Sequence, residues 1–376
     1  MNARVSCQSE VVFIKVAVRK VVEWRQPSAN FSFIVRNAKG RKTLGPTRKS
    51  SCTVIVLNFN GERLLSACLD SLGRQTGIDI DTVVVDNGSS DGSAALISQR
   101  YPWVRFIALD KNSGFSFANN IALLDALDRD SEYALLLNND TFAAPDFVLQ
   151  LLAVMQEDPC TAAVCPKIFF AYQPDRLWYA GGDFSPWTSI TRHRGWKKID
   201  RGQFDHIREI TQATGCAMLV RCDAMREVGL LDEQFWAYAE DLDWSARFLA
   251  RGYRLAFAPK AHLWHLDGAT SVSLLGSGSE AVRQFLSTRN MVFVARKHVR
   301  WYQLPTYILG FSLQHIAFYT ALRLWRRDFR ALWAIYRGIS QGLRTPLTPA
   351  NQNPVQLREA VSRESTTNAV PSKWSG

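Results

Sequence analysis

The sequence predicts an α/β protein whose core is a doubly wound, mostly parallel sheet. Short, mostly apolar runs, rich in β-branched residues or leucine, recur between residues 52 and 137. Segments with helical periodicity lie between these runs, as in chains that alternate strands and helices. Each run ends in a polar or glycine-rich turn, and such a sheet binds its ligands beyond the carboxyl ends of its strands.

The first predicted strand, 52–57, ends at a turn that begins with Asn58. Apolar residues at helical spacing follow between residues 64 and 72. No G-x-G-x-x-G sequence follows this strand, so the chain lacks the fingerprint of a dehydrogenase-type dinucleotide fold. The turn therefore supplies polar side chains rather than a glycine-rich pyrophosphate loop.

The second predicted strand, 82–85, ends at Asp86 in a run of eight turn-forming residues. A tight turn explains some of these residues, but one turn does not need eight of them. A carboxylate at this strand end can accept hydrogen bonds from a nucleobase imide or a ribose hydroxyl. Gly88 lets the backbone approach such a ligand closely.

The third predicted strand spans residues 104–109. The turn after it contains Asn112 and Gly114 and opens a helix that carries Asn120. Either asparagine can be a helix cap, although that explanation covers one of them more easily than both.

The fourth predicted strand is the leucine run 135–137, which reads as a strand buried on both faces. It ends abruptly in Asn138, Asn139 and Asp140. These residues can simply form an Asx turn or cap the next helix. Alternatively, a carboxylate fixed at a strand end can hold a hard cation, with waters and substrate phosphates completing the coordination.

The densest acidic cluster of the chain contains Glu240, Asp241 and Asp243. Acids are common in the first turn of a helix because the macrodipole favours them there. The functional alternative is a general base held near an acceptor hydroxyl by its neighbours. His265 alone would be a packed core histidine, but histidine binds metals well and Asp140 needs further ligands.

Together these motifs resemble glycosyltransferase family 2, inverting enzymes with a GT-A fold, over roughly residues 52–297. The similarity extends to the bacterial rhamnosyltransferase-like branch. It implies a GT-A sheet with a C-terminal helical extension. The motifs that carry it are, in chain order, Asp86-Asn-Gly-Ser-Ser-Asp-Gly-Ser, Asn112-x-Gly-Phe-x-x-Ala-Asn-Asn120, Asn138-Asn-Asp140, Thr214-Gly-Cys-Ala-Met, Asp232-Glu-x-Phe, Glu240-Asp241-x-Asp-Trp, Trp264-His265 and Arg289-Asn290.

This resemblance implies a role for each motif. Asp86 would bind the base of a nucleotide-sugar, and Asp241 would be the catalytic base. Asp140 and His265 would hold Mg²⁺ or Mn²⁺ against the diphosphate. The other implied residues are Asn58, Asn112, Gly114, Asn120, Asn138 and Asn139 on the donor side, and Gly215, Glu240, Asp243 and Trp244 on the acceptor side. Asn138 replaces the first acid of the family's metal motif, and because an amide carries no charge, we expect modest metal affinity.

The predicted function is an inverting glycosyltransferase that acts in cell-surface polysaccharide synthesis. Rhamnose is the favoured sugar, with dTDP-rhamnose as donor and a glycan or lipid-linked glycan as acceptor. A catalytically silent scaffold with the same fold is the alternative, and Asn138 gives it slight support. A nucleic-acid-binding module would explain the net charge of +11, but the basic residues do not cluster around base-stacking motifs.

Four regions are predicted: an N-terminal appendage or linker at 1–50, a catalytic domain at 51–298, an aromatic and basic helical extension at 299–344, and a disordered tail at 345–376. The extension can lie on an anionic membrane surface or pack on the catalytic domain. Seven scattered cysteines without a CxxC pair and no secretory signal predict a cytoplasmic protein, with peripheral attachment to the inner membrane face as a further expectation.

Overall fold

The computed structural model describes residues 52–267 and 279–348. The predicted appendage at 1–50, the segment 268–278 and all but the first few residues of the predicted tail lie outside the described residues. The fold and the site below are therefore those of the two described ranges.

The N-terminal half of the main sheet consists of β1 (Cys52–Asn58), β2 (Ile80–Asp86), β3 (Arg105–Ala108) and β4 (Tyr133–Asn138). These strands are parallel and lie in the order β3-β2-β1-β4. The connecting helices are α1 (Glu62–Leu72), α2 (Ser93–Arg100) and α3 (Phe115–Asp128). The strand order reverses at β1, so this half has the parallel α/β arrangement that the sequence predicts, with a switch point beside Asn58.

The C-terminal half of the sheet is mixed. Its elements are β5 (Thr141–Ala143), α4 (Phe147–Glu157), β6 (Thr161–Phe170), β7 (Gln173–Tyr179), β8 (Gly182–Phe184), β9 (Thr191–His193), β10 (Arg208–Ile210), β11 (Ala217–Arg221), α5 (Cys222–Val228), α6 (Glu240–Ala250) and β12 (Arg254–His265). Strand β11 runs antiparallel between β4 and β6, and β12 runs parallel to β6. Strands β8 and β9 form a separate two-stranded hairpin.

The main core surrounds the central strands. Strands β1 and β6 are buried along their whole length, and the leucines of β4 are at most 2% exposed. Strands covered on both faces have no polar side, which explains why these sequences show uninterrupted apolar runs. Each fully buried large aliphatic side chain contributes about 1.5–3 kcal/mol to stability, so the strand ends that carry the site are rigidly placed.

The C-terminal region is helical: α7 (Ser279–His298), α8 (Leu304–Phe311), a π-helical turn (Ser312–Phe318), α9 (Tyr319–Trp325) and α10 (Phe329–Arg344). Helix α10 packs closely on α7, since a Cβ at Gly338 would lie 2.7 Å from the Phe285 carbonyl oxygen. Gly342 approaches Val292 equally closely. Among the described residues, none of the helices has both the length and the apolarity needed to cross a bilayer.

Candidate active site

A row of hydrogen-bonded polar side chains crosses the carboxyl ends of the parallel strands. Asn58, at the end of β1, donates its Nδ2 to Asp86 Oδ1 at 2.8 Å. Its own Oδ1 accepts from Asn139 Nδ2 at 2.7 Å. Ser89 donates from its hydroxyl to Asp86 Oδ1 at 2.5 Å and from its backbone N–H to Oδ2 at 3.1 Å. Three residues predicted for the donor side, Asn58, Asp86 and Asn139, thus form one buried network.

The loop before α3 is hydrogen-bonded to the loop after β2. Asn87 donates its Nδ2 to Asn112 Oδ1 at 3.1 Å, and the same oxygen accepts from the Gly114 N–H at 3.1 Å. Gly114 has φ of +87°, and a Cβ there would lie 2.6 Å from the Trp236 ring. The Trp236 carbonyl in turn accepts from the Phe115 N–H at 2.6 Å, at the start of α3. Glycine at 114 thus meets both a backbone requirement and a close approach.

Asn120 and Asn138 lie at the margin of this network. The buried Asn120 amide donates to the Leu231 carbonyl at 2.9 Å and to Glu233 Oε1 at 3.0 Å, and it accepts from the Leu231 N–H at 3.1 Å. These bonds use both N–H groups of the amide, so Asn120 anchors the segment that leads to Trp236, and its predicted role on the donor side stays a prediction. Asn138 is half-buried at the end of β4, and its N–H donates to the Cys216 carbonyl at 2.9 Å.

The structure brings Asp140 and His265 together, although they are far apart in the sequence. Strand β5 begins directly after Asp140 and pairs antiparallel with β12, with Thr141 opposite His265. The His265 Nε2 lies 3.2 Å from Asp140 Oδ1, and both side chains are almost completely buried. Two atoms that bind one octahedral cation at about 2.1 Å each are about 3 Å apart, so this spacing suits a shared ion.

The chemistry of the pair also fits a divalent cation. A carboxylate oxygen suits Mg²⁺ and Mn²⁺, and imidazole suits the transition metals, so Mn²⁺ satisfies both. Burial opposes protonation of His265, but the neighbouring Cys216 and Asp140 outweigh it and raise the pKa of the ring well above its usual value. Because only the neutral ring binds a metal, cation binding would have to release this proton. Within the two described ranges, no group of three or more metal-ligating side chains occurs, so substrate oxygens or water would have to supply the remaining ligands.

Asp241 lies at the start of α6 and contacts the turn that precedes β11. Its Oδ2 accepts from the Gly215 N–H at 2.9 Å, and its Oδ1 accepts from the Leu242 N–H at 2.8 Å. Burial raises the pKa of Asp241 above its usual value, and these amide hydrogen bonds only partly offset that effect. Gly215 and Cys216 are adjacent, so this turn joins Asp241 to the pair formed by Asp140 and His265.

The other residues predicted for the acceptor side differ in their positions. Gly215 contacts Asp241 directly, and Glu240 is buried with its pKa raised well above its usual value by burial and by the neighbouring Asp241. Asp243 and Trp244 have no exposed surface at all. Asp243 forms ion pairs with residues of α7, and the Trp244 Nε1 donates to the Gly229 carbonyl at 2.9 Å. These contacts give both residues a packing role, and their acceptor-side role stays a prediction.

A strained segment, residues 234–239, connects the two sides of the site. Trp236, Tyr238 and Ala239 have φ of +61°, +70° and +63°, a region that costs a residue with a side chain about 1–3 kcal/mol. The segment passes over the start of α3 through Trp236 and leads directly into α6. Sequence reasoning did not assign it a role, because no composition or period signals left-handed conformations at non-glycine residues.

Comparison with known proteins relates this geometry to a family. Residues 53–229 match the sequence profile described as "Glycosyl transferase family 2". An N-acetylglucosaminyl-diphospho-decaprenol L-rhamnosyltransferase of Mycobacterium tuberculosis is 26% identical over 283 residues, which cover 67% of this chain and 86% of the relative. The dTDP-rhamnosyl transferase RfbF of Shigella flexneri is 24% identical over 255 residues, 66% of this chain and 81% of the relative.

A solved structure supports the fold. The crystal structure of GalNAc-T7 with UDP, GalNAc and Mn²⁺ superimposes with a TM-score of 0.50 at 15% identity. The match covers 66% of this chain and 48% of the other. The predicted GT-A fold is thereby confirmed.

Proposed function

This chain is a glycosyltransferase of family 2, and we propose that it is an inverting rhamnosyltransferase that extends a lipid-linked glycan at the cytoplasmic face of a membrane. The observation that carries the proposal is the convergence of three carboxylates on one edge of the sheet. Asp86, Asp140 and Asp241 lie there in three distinct environments, each suited to a different task.

Asp86 supports donor binding. Its Oδ1 accepts two hydrogen bonds and its Oδ2 accepts one within the protein. An ionised carboxylate offers about four acceptor positions, so Oδ2 retains capacity for one more donor. A nucleobase imide or a ribose hydroxyl would supply that donor, and the Asn58 and Ser89 contacts would fix the carboxylate in place.

Asp140 and His265 support a divalent cation. Their spacing and their mixed oxygen and nitrogen chemistry fit Mn²⁺, and the solved structure with the same fold contains Mn²⁺ together with UDP. When bound, the cation would neutralise charge on a departing nucleoside diphosphate.

Asp241 supports the role of general base. In the proposed displacement, the acceptor oxygen forms a bond to the anomeric carbon, while the bond from that carbon to the diphosphate oxygen breaks. The electron pair leaves with the nucleoside diphosphate, and the acceptor proton moves to Asp241. A raised carboxylate pKa makes Asp241 a stronger base than an exposed aspartate. One displacement inverts the anomeric configuration.

The proposed sugar and the proposed acceptor are inferred from the names of the relatives. Both compared relatives carry a rhamnosyl transferase name, one of them with a dTDP-linked donor and the other with a diphosphate-linked polyprenol acceptor. We infer dTDP-rhamnose as donor and a prenyl-diphosphate glycan as acceptor. We also infer that the aromatic helical extension lies on the membrane that holds such an acceptor.

The direct test is transfer to a synthetic N-acetylglucosaminyl-diphospho-prenol in the presence of Mn²⁺. The full chain is incubated separately with dTDP-L-rhamnose, UDP-N-acetylglucosamine and GDP-mannose, and both the glycolipid and the released nucleotide are measured. We expect a disaccharide-lipid only with dTDP-L-rhamnose. Transfer from another donor would correct the sugar. Donor binding by thermal shift without transfer or hydrolysis would favour the catalytically silent alternative.

A further inference from the structure

Helix α7 donates hydrogen bonds to four of the six residues of the strained segment 234–239. The fully buried Asn290 Nδ2 lies within hydrogen-bond distance of three carbonyl oxygens, at 2.9 Å from Phe235, 2.8 Å from Ala237 and 2.6 Å from Tyr238. The Asn290 Oδ1 accepts from Arg289 Nε at 2.9 Å. One side-chain amide therefore contacts three carbonyl groups, which the left-handed backbone conformation orients toward it.

Arg289 adds a second set of contacts. Its Nη2 donates to the Gln234 carbonyl at 3.1 Å and to the Phe235 carbonyl at 2.9 Å. Burial lowers the pKa of Arg289 to about 10, and its guanidinium lies 5.2 Å from the centre of the Phe293 ring. Among the described residues, carbonyl dipoles and ring faces surround this cation, and no carboxylate forms an ion pair with it.

The two ends of the segment are also tied to α7. Lys297 Nζ lies 2.7 Å from Asp232 Oδ2, before the segment, and 2.5 Å from Asp243 Oδ1, after it. Between these ends, the Trp236 carbonyl accepts from α3 and the Ala239 carbonyl accepts from the Asp243 N–H at 3.0 Å. The conformation of the segment therefore determines where the Trp236 ring lies over Gly114. It also determines the position of the first turn of α6, where Asp241 lies.

We propose that Arg289 and Asn290 are positioning residues for the glycosyl transfer, acting through segment 234–239 to place Asp241 against the acceptor. The inference rests on the proposed function, because it takes Asp241 to be the base. Neither side chain needs to touch a substrate. Left-handed conformations at three residues with side chains are unfavourable, so the segment needs these hydrogen bonds to keep its shape.

The test compares Asn290→Ala with Gln284→Ala in the full chain. Gln284 is a buried amide on the same helix that contacts Thr288 and Arg323 but not the segment. Steady-state rates with dTDP-L-rhamnose, Mn²⁺ and the synthetic acceptor give kcat and the donor KM. Hydrogen exchange gives the protection of amides 235–243, and thermal unfolding gives the general loss of stability.

For Asn290→Ala we expect kcat to fall roughly 10- to 100-fold with donor KM changed less than about twofold, because a small misplacement of a reacting group has effects of this size. Amides 235–243 should exchange at least about tenfold faster. Gln284→Ala should change neither quantity, even where its melting temperature falls equally. Arg289→Lys keeps a cation but loses the planar fork, so it should lower kcat by a smaller factor at unchanged KM.

The outcomes separate the two proposals. A wild-type protein that transfers no sugar from any donor overturns the proposed function and, with it, this inference. An active wild type together with an Asn290→Ala variant that matches Gln284→Ala in kcat and exchange overturns the inference alone. If Asn290→Ala does not fold, Arg289→Lys decides, and wild-type kcat in that variant contradicts the proposal.

Discussion

Asp86, Asp140 and Asp241 differ in what surrounds their oxygens. Amide and hydroxyl groups of neighbouring residues donate hydrogen bonds to both carboxylate oxygens of Asp86. Asp140 faces an imidazole nitrogen in a buried pair. Asp241 accepts two backbone N–H bonds, but burial still raises its pKa. The same side chain can therefore bind a nucleotide, hold a cation or accept a proton, depending on its neighbours.

At this scale, Asp241→Asn tests the base. The amide keeps the shape of the side chain but cannot accept the acceptor proton, so turnover should fall roughly 10²- to 10⁴-fold while donor affinity stays near wild type. Turnover is measured with saturating substrates, and donor affinity is measured by calorimetry. Asp175→Asn, the same change at an exposed position of β7, should leave turnover unaffected. Near wild-type turnover in Asp241→Asn would end the assignment.

Chelation tests the cation. Transfer should disappear in EDTA and return with Mn²⁺, because the diphosphate leaving group would otherwise depart with its charge uncompensated. His265→Ala should raise the Mn²⁺ concentration that gives half-maximal activity by at least about tenfold. His206→Ala, at an exposed position, is the matched control. Full activity after exhaustive chelation would show that basic side chains stabilise the leaving group alone.

At the scale of elements, α6 and α7 are joined by one buried ion-pair cluster. Asp243 contacts Arg247 of its own helix at 2.8 Å and, from α7, Lys297 at 2.5 Å and His298 at 2.8 Å. Burial opposes its ionisation, but the hydrogen bond from His298 and the charges of Arg247 and Lys297 hold the pKa of Asp243 well below its usual range. The acidic cluster that suggested catalysis thus divides by helix face: Asp241 points to the site, and Asp243 to the supporting helix.

Asp243→Asn should therefore reduce stability strongly. Removing one partner leaves buried cations uncompensated, which costs about 3–5 kcal/mol of unfolding free energy. Because the folded-state pKa is lowered, the carboxylate stabilises the protein above the unfolded pKa of about 4, and this contribution is lost as pH falls toward the folded value. Urea unfolding at about pH 7 and at about pH 2 measures both effects, because the contribution is lost below the unfolded pKa. Asp223→Asn, whose ion pair with Arg226 is exposed, should cost less than about 1 kcal/mol.

For the whole molecule, the sequence predicted what depends on local pattern. The buried strands, the polar turns after Asn58 and Asp86, and the pairing of Asp140 with His265 followed from apolar runs and from family motifs. The antiparallel insertion of β11 was not predicted, and neither were the hydrogen bonds of Arg289 and Asn290 to segment 234–239. Both depend on contacts between residues far apart in the chain. The role of Asp243 was not predictable either, since acids on opposite faces of one helix look alike in sequence.

Of the two alternatives for residues 299–344, the contacts show packing on α7, and the membrane-bound arrangement stays a prediction. The inner face of α10 packs on α7 through the small residues Gly338 and Gly342. Its outer face carries Phe329 and Trp333, which are 63% and 68% exposed. Together with the preceding helices, this outer surface presents many large apolar side chains to solvent: Trp301, Ile308, Leu309, Leu313, Phe318, Leu324, Trp325, Phe329 and Trp333.

An aromatic surface flanked by arginines is suited to the interface of an anionic membrane, where amphipathic rings lie at the headgroups. Arg326, Arg327 and Arg330 are exposed beside it, and each basic group near such a surface contributes about 1 kcal/mol. The chain should therefore float with vesicles that contain phosphatidylglycerol and bind phosphatidylcholine vesicles much more weakly. Since charges are screened within about 8–10 Å at ordinary ionic strength, 1 M salt should weaken the binding.

Point variants are the right probes for this surface, because truncation after Arg300 would also remove α10 and uncover α7. Trp325→Ser with Trp333→Ser should reduce flotation at least about tenfold, since the indoles supply the apolar part of the binding. The exposed Trp103, in the loop before β3, gives the matched control Trp103→Ser. If the double variant floats as well as wild type, or if wild type ignores anionic vesicles, the aromatic surface has another partner and the acceptor must reach the site by another route.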